Sequence, residues 1–107
     1  MYLKNNKKRK LKIISGWGLY PKIKAAKQKP KTLKELKDAI LSESLIARGN
    51  GRAYGDSAIN RLNTIDMRGF NRFLHFNEKE GFVIAQSGIL LKDIIDTFLH
   101  KGWFPHV

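Results

Sequence analysis

The chain of 107 residues has a formal net charge of +12 and contains no cysteine. This length fits one small domain, and the lack of cysteine excludes disulfides and thiolate chemistry. No apolar run approaches the roughly 20 residues that span a bilayer. The apolar run behind the basic N-terminus is shorter than the ~7–15 residues of the apolar core of a signal peptide, so we expect a cytoplasmic protein.

The positive charge is concentrated near the N-terminus. Residues 1–37 hold 13 Lys and Arg with Glu35 as the one acid, whereas residues 38–107 hold eight residues of each sign. We predict a basic flexible arm over residues 1–14 and a domain over residues 15–107. Such an arm is most often a solvated tail, and contact with nucleic acid phosphates or an anionic membrane surface is the weaker alternative.

The first predicted elements are a strand and a helix. KIKAAKQKP, residues 22–30, favours a strand that ends at proline. KTLKELKDAIL, residues 31–41, predicts a helix because Thr32 and Glu35 have the spacing of a capping box and apolar residues recur at helical spacing. SLIARG, residues 44–49, is expected to be a short buried strand that leads into a glycine-rich loop.

The rest of the chain predicts three strands and a second helix. LNTIDM, residues 62–67, favours a strand, and RFLHF and FVIAQSG, residues 72–76 and 82–88, flank a turn and suit a hairpin. LLKDIIDTFLHKG, residues 90–102, predicts a helix with ordinary C-terminal signals. Together these elements predict an α+β fold with small mixed sheets and two helices.

The chain finishes at GWFPHV, residues 102–107, whose apolar side chains would ordinarily be covered by a following strand or loop. We therefore expect residues 15–107 to be the truncated N-terminal portion of a larger domain.

One stretch has the composition of an anion site. ARGNGRAYGD, residues 47–56, holds three glycines and two arginines. Glycine permits positive φ and close approach of a ligand to the main chain, and successive exposed N–H groups form a concavity that suits a phosphate. Arg48 and Arg52 can add guanidinium forks to phosphate oxygens. The alternative is a tight connection between strands with solvated arginines.

Two common phosphate-binding motifs do not fit this stretch. The Rossmann fingerprint needs G-x-G-x-x-G at the opening of a helix, but Tyr54 stands at the third glycine position and Gly55 comes one residue late. The P-loop needs G-K-[ST], which is absent.

The pattern instead resembles the PCMH-type, or vanillyl-alcohol-oxidase-like, FAD-binding domain. The likeness extends from Ser15 to Val107 and is strongest for the branch of decaprenylphosphoryl-ribose oxidases and sugar-lactone oxidases. It includes SGWG near the start, LIARGNGRAYGDSAIN, and A-x-S-G-x-x-L further on. The resemblance implies the first subdomain of such a domain.

The resemblance also implies a set of cofactor-binding residues. The loop would hold the FAD pyrophosphate, and Tyr54 would line the flavin and substrate side. Many members bind flavin covalently through a histidine, but here Arg52 takes that place and no histidine precedes His75, so the implied binding is non-covalent. The implied contacts are Ala47, Arg48, Gly49, Asn50, Gly51, Arg52, Ala53, Tyr54 and Asn60.

By this resemblance the chain is the FAD-binding part of a flavin-dependent oxidoreductase that acts on CH–OH groups of a sugar, polyol or sugar lactone. In that family a later substrate domain supplies most catalytic groups. No catalytic residue is therefore assigned, the fragment alone is expected to be inactive, and a complementary C-terminal polypeptide is the implied partner. Two alternatives stay open: a small basic RNA-binding protein, and an inactive remnant of a truncated gene.

Other conspicuous residues have simpler interpretations. Asp56 and Asn60 are typical of loop caps. Gly88 suits either a second close approach to cofactor or a strand-to-helix turn. Trp17 and Trp103 are expected to pack. The three histidines share no spacing that would predict a metal site.

Overall fold

The computed structural model describes residues 11–40 and 44–106. Within these ranges two helices and two small sheets form an α+β fold, as the sequence predicts. None of the described helices is long and apolar enough to cross a membrane. The elements in chain order are β1 (Leu11–Ile14), β2 (Ile23–Gln28), α1 (Leu33–Ile40), β3 (Ile46–Arg48), β4 (Thr64–Asp66), β5 (Phe73–Asn77), β6 (Phe82–Ala85) and α2 (Leu91–Phe98), with 3-10 turns at Met67–Gly69 and Leu99–Lys101.

The larger sheet has the strand order β1-β2-β4-β3 and mixed directions. Strands β1 and β2 are antiparallel, whereas β4 is parallel to both of its neighbours, β2 and β3. Because parallel strands end at the same edge of a sheet, the segments that follow β2, β3 and β4 begin close together. This edge positions the glycine-rich loop.

Strand β1 corrects the predicted domain boundary. Leu11–Ile14, which the basic composition assigns to the flexible arm, pair with β2, and Ile14 lies opposite Ile23. The two isoleucines and Ala25 are buried together, with Ile59 packed against them. Four residues give too short a pattern to identify this strand without its partner. Residues 1–10 of the predicted arm lie outside the described residues.

The burial of strand β3 differs from the sequence-based expectation. Strand β3 was expected to be buried, but it is a sheet edge on which Ala47 is exposed. Its neighbour β4 is the central strand, and all three of its residues are buried, including Thr64 and Asp66. An apolar run alone does not distinguish an edge strand from a central one.

The predicted helix α1 is confirmed, and the buried side-chain amide of Asn63 links it to the sheet. The Glu35 N–H donates to the Thr32 hydroxyl over 3.2 Å, while the Glu35 carboxylate accepts from the Lys31 N–H, one residue before the position that the capping box predicts. Asn63, fully buried, donates to the Ala39 carbonyl over 3.1 Å.

The predicted hairpin and second helix are also confirmed. Strands β5 and β6 are antiparallel, with an irregularity between Phe73 and His75. Phe98 of α2 packs against Phe73 and Phe76, with ring centroids 5.1 and 4.4 Å apart. Gly102 then terminates the helical segment in the left-handed conformation, at φ 86°, as the C-terminal signals predict.

Gly88 is explained by backbone packing. A β-carbon placed on it would lie 1.8 Å from the Met67 carbonyl oxygen, and its N–H donates to the Phe70 carbonyl over 2.8 Å. The space beside this glycine is filled by the protein's own main chain. The turn between β6 and α2, rather than a cofactor, accounts for it.

Candidate functional site: the loop after strand β3

The candidate site lies at the edge where the parallel strands end. Arg48, the last residue of β3, stands opposite Asp66, the last residue of β4. In open parallel sheets, ligands bind outside the carboxyl ends of the strands. The glycine-rich loop that starts at Gly49 is therefore at the position where such a sheet accepts a ligand.

Part of the loop backbone is open to solvent. Apart from the adjacent residues, no described atom lies within 4 Å of the position that a β-carbon would occupy on Gly49 or on Gly55. Gly55 has φ +56°, which a residue with a side chain rarely adopts. An anion can reach the main chain at both positions without displacing a side chain.

Arg48 does not stand free as the phosphate-binding cation that the sequence predicts. Its Nη2 donates to the Ser15 carbonyl over 2.7 Å, and its guanidinium covers Gly51. A β-carbon on Gly51 would lie 2.5 Å from Arg48 Nη2, and this glycine has φ +70°. The bend at Gly51 is thus filled by a protein side chain, because Arg48 folds back over its own loop to reach a carbonyl 33 residues away.

One atom of the same guanidinium has no acceptor. Arg48 Nη1 is buried, and no described residue accepts a hydrogen bond from it. A buried donor without a partner costs about 1–3 kcal/mol.

The N-terminal SGWG segment docks against the loop. The Trp17 N–H donates to the Ala53 carbonyl over 2.9 Å. A β-carbon on Gly16 would lie 2.4 Å from the carbonyl oxygens of both Ala53 and Gly55. The two motifs on which the family resemblance depends are therefore in direct backbone contact, and the Ala53 carbonyl is already engaged.

A buried carboxylate binds two cations behind the loop. Asp66 accepts from Arg68 Nε and Nη2, over 2.9 and 2.7 Å, and pairs with Lys27 Nζ at 3.2 Å. Burial raises the pKa of Asp66, but the hydrogen bonds from Arg68 and then Lys27 outweigh it and hold that pKa well below its usual value. The hydrogen bond to Asp66 in turn raises the pKa of Arg68.

This ion cluster also contacts the loop. Arg68 Nη1 donates to the Asn50 side-chain oxygen over 3.3 Å. Two cations facing one carboxylate leave a surplus positive charge at this edge, which favours an anion. The glycine motif does not include Asp66 and Arg68, and sequence reasoning missed their role. An acid at the end of an apolar strand, two residues before an arginine, was the available signal.

Arg52 and Tyr54 lie on the outside of the loop. Arg52 is exposed, and no described residue forms an ion pair or hydrogen bond with it. Tyr54 is 77% exposed and meets the ring of Trp17 edge-on, with centroids 6.0 Å apart. Trp17 is itself largely exposed, contrary to the expectation that it packs, whereas Trp103 covers Gly81 and is half-buried.

Asn60 has the capping role that its residue type predicts. Its side-chain oxygen accepts from the N–H groups of Leu62 and Asn63, over 2.8 and 3.2 Å. Its amide nitrogen donates to the Ser44 hydroxyl over 3.2 Å. Because both polar atoms are engaged within the protein, Asn60 shapes the end of the loop and is not free to bind a cofactor in this conformation. Of the implied cofactor contacts, the exposed ones are Ala47, Gly49, Asn50, Arg52 and Tyr54.

Two other kinds of site are not formed by the described residues. No three His, Cys, Asp or Glu side chains there come together in a way that could hold a metal ion. An apolar groove of about 330 Å³ beside α2 contains no lysine or arginine and lies apart from the loop. It is lined by Leu91, Ile95, Phe104, Pro105 and His106.

Comparison of the chain with protein-family models gives no match. No curated protein matches it either.

Proposed function

We propose that this chain is the FAD-binding part of a flavin-dependent oxidoreductase acting on CH–OH groups of a sugar, polyol or sugar lactone in the cytoplasm. The resemblance of its loop motif to PCMH-type FAD-binding domains implies this activity. The single observation that carries the proposal is the open main chain at Gly49, the first residue after β3 and therefore at the edge where the parallel strands end.

The residues at this edge fit an anionic group such as a diphosphate. Two features support the fit: the accessible backbone at Gly49 and the exposed guanidinium of Arg52. The side of the loop at Gly51 is closed by Arg48. We therefore narrow the proposed cofactor contacts to the exposed residues that follow strand β3 in this loop, namely Gly49, Asn50, Arg52 and Tyr54.

Bound FAD would accept a hydride from the substrate carbon, which is chemistry of the cofactor and not of the chain. The proposed contribution of this chain is to hold the diphosphate and to orient it. Arg52 would pair with phosphate oxygens, the Gly49 main chain would approach them closely, and the hydrogen bond from Arg68 would keep Asn50 in place. A complementary C-terminal polypeptide would supply the substrate side.

The test is a titration of the purified chain with FAD, ADP and riboflavin. Flavin fluorescence quenching reports FAD and riboflavin, and calorimetry reports ADP. FAD and ADP should bind and riboflavin should not, because the proposed site recognises the diphosphate. Gly49→Ala should weaken FAD binding about tenfold, the effect of ~1.4 kcal/mol, because its methyl group would point into the open space.

Gly18→Ala is the matched control, since Gly18 also has no atom within 4 Å of its β-carbon position. It should leave FAD binding unchanged. Absence of FAD binding by the wild-type chain, or equal binding by wild type and Gly49→Ala, would overturn the proposal.

The RNA-binding alternative makes a different prediction. Its affinity would depend on the basic arm and would fall steeply with salt concentration. Deletion of residues 1–10 removes most of the arm and leaves β1 complete. RNA binding should collapse in this variant, whereas FAD binding should survive.

A further inference from the structure

We propose that the loop between β1 and β2, residues 15–22, binds the surface of a membrane that contains anionic lipid, with the side chains of Leu19 and Tyr20 entering the headgroup region. This inference does not rest on the proposed cofactor, because it concerns a different ligand, although the two surfaces adjoin where Trp17 meets Tyr54.

Three successive large apolar or aromatic side chains of this loop face solvent. Trp17 is 58% exposed, Leu19 is 65% exposed and Tyr20 is 83% exposed. Contiguous exposed apolar surface of this kind marks interaction sites. Tryptophan and tyrosine in particular are enriched where proteins meet the membrane–water interface.

The loop backbone presents Leu19 outward at a conformational cost. Leu19 has φ +60°, a left-handed conformation that a bulky residue rarely adopts and that strains the backbone. The loop keeps this shape because its base is fixed: the Leu19 N–H donates to the Gly16 carbonyl over 3.2 Å, and the Trp17 N–H is bound to Ala53. The exposed side chain of Leu19 gains little burial in return within the described fold.

The neighbouring strands extend the same surface. Ile13 of β1 stands opposite Lys24 of β2, so their side chains lie on one face of the pair. Both are exposed, and Leu11, two residues before Ile13, shares that face and is exposed as well. The opposite face carries the buried pair Ile14 and Ile23. An apolar strand face thus adjoins the apolar loop.

The charge around this surface is of one sign. Lys22 and Lys24 are exposed, and no described residue forms an ion pair with them. The first acid in the sequence is Glu35. Lysines near an anionic membrane are attracted to its surface, and this attraction decays within a Debye length.

This combination favours lipid over a protein or nucleic acid partner. Protein interfaces are depleted in lysine, whereas interfacial membrane segments combine lysine with Trp and Leu. Base stacking would explain exposed Trp17 and Tyr20, but it gives no role to the exposed aliphatic side chains of Leu19 and Ile13.

The test measures cosedimentation of the full chain with large unilamellar vesicles. The vesicles consist of phosphatidylcholine, either alone or with about 30% phosphatidylserine as the anionic lipid. The chain should bind the anionic vesicles and bind the neutral ones much more weakly. The double variant Ile13→Thr/Leu19→Asn should reduce binding about tenfold. Threonine suits a strand and asparagine tolerates positive φ, so both replacements preserve the backbone.

The matched control is Leu74→Thr/Leu99→Asn, which removes two comparably exposed side chains elsewhere in the fold. It should bind like wild type. A second readout uses Trp103→Phe, which leaves Trp17 as the one tryptophan. Its emission should shift to the blue with anionic vesicles.

The proposal is overturned if Ile13→Thr/Leu19→Asn binds like wild type, or if the Trp17 emission does not move when the chain is bound. Binding through the basic arm alone would give the first of these results. Capture of the chain by single-stranded RNA, with the vesicles left unbound, would also overturn it.

Discussion

Gly16 lies against Ala53 so closely that a β-carbon on Gly16 would stand 2.4 Å from the Ala53 carbonyl oxygen. The hydrogen bond from the Trp17 N–H to the same oxygen, over 2.9 Å, completes the contact. Two segments that are far apart in the sequence therefore form one backbone unit. The shape of the glycine-rich loop depends on the segment that precedes β2.

This contact predicts the effect of a single methyl group. Gly16→Ala should lower the free energy of unfolding by about 2 kcal/mol, because the methyl group meets two backbone carbonyls that cannot turn away. Urea unfolding monitored by tryptophan fluorescence gives the value. Gly18→Ala, in the same loop and with open space around it, should change the free energy by less than about 0.5 kcal/mol. Equal losses in the two variants would contradict the explanation.

Arg52 should matter for binding and not for stability. Its side chain is exposed and no described residue forms an ion pair or hydrogen bond with it, so Arg52→Ala should leave the free energy of unfolding within about 0.5 kcal/mol of wild type. If Arg52 pairs with the diphosphate, FAD affinity should fall about tenfold, since a charge-assisted hydrogen bond is worth about 1.5–3 kcal/mol. Titration with FAD, followed by flavin fluorescence, measures the affinity of the wild type and of the Arg52→Ala variant.

The control for that experiment is Arg61→Ala. Arg61 is also exposed and precedes β4, at the end of the strand away from the glycine loop. The variant removes the same charge, so a general electrostatic attraction would weaken both variants alike. A fall in affinity confined to Arg52→Ala is the expected result.

Local patterns were enough to predict the helices and the hairpin. The capping signal of α1, the glycine at position 102 and the turn between β5 and β6 each depend on residues close in sequence. Such signals need no knowledge of the partner elements. Strand β1 shows the limit, since four residues become a strand only through pairing with β2.

The candidate site was predictable only in its outline. The glycines and the position after a strand could be predicted from the sequence, but the use of each arginine could not. Arg48 binds a carbonyl 33 residues away, and Arg68 reaches Asn50 across 18 residues. These contacts depend on which strands are neighbours, and a single sequence does not contain that information.

Buried Asn63 should contribute strongly to stability through its amide. Gln28 Nε2 donates to its side-chain oxygen over 2.7 Å, and its own Nδ2 donates to the Ala39 carbonyl. Asn63→Ala should lower the free energy of unfolding by about 2–3 kcal/mol, because buried partners lose their hydrogen bonds. Gln28→Ala should lower it by about 1 kcal/mol.

A double-mutant cycle isolates the bond between these two amides. The double variant Gln28→Ala/Asn63→Ala should be more stable than the sum of the two single losses implies, by about 1 kcal/mol. Urea unfolding of the four proteins provides the coupling. Strict additivity would show that the 2.7 Å contact contributes nothing of its own.

The ion cluster at Asp66 should make stability depend on pH in acid. Because the folded protein holds the pKa of Asp66 well below its usual value, the unfolded chain binds a proton there more readily. The stabilisation is therefore complete above the unfolded-state pKa of about 3.9 and is lost as the pH falls below that value.

Asp66→Asn should lower the free energy of unfolding by about 3 kcal/mol at pH 7, since Lys27 and Arg68 keep their charges beside a neutral amide. Urea unfolding at pH 7, 5, 4 and 3 (roughly the range that brackets an ordinary carboxyl) should show this difference unchanged down to about pH 4 and narrowing below it. Asp96→Asn, which removes an exposed carboxylate paired with Lys92 on α2, should unfold like wild type at pH 7. A difference between Asp66→Asn and wild type that stayed constant to pH 3 would mean that the buried carboxylate does not titrate as its partners require.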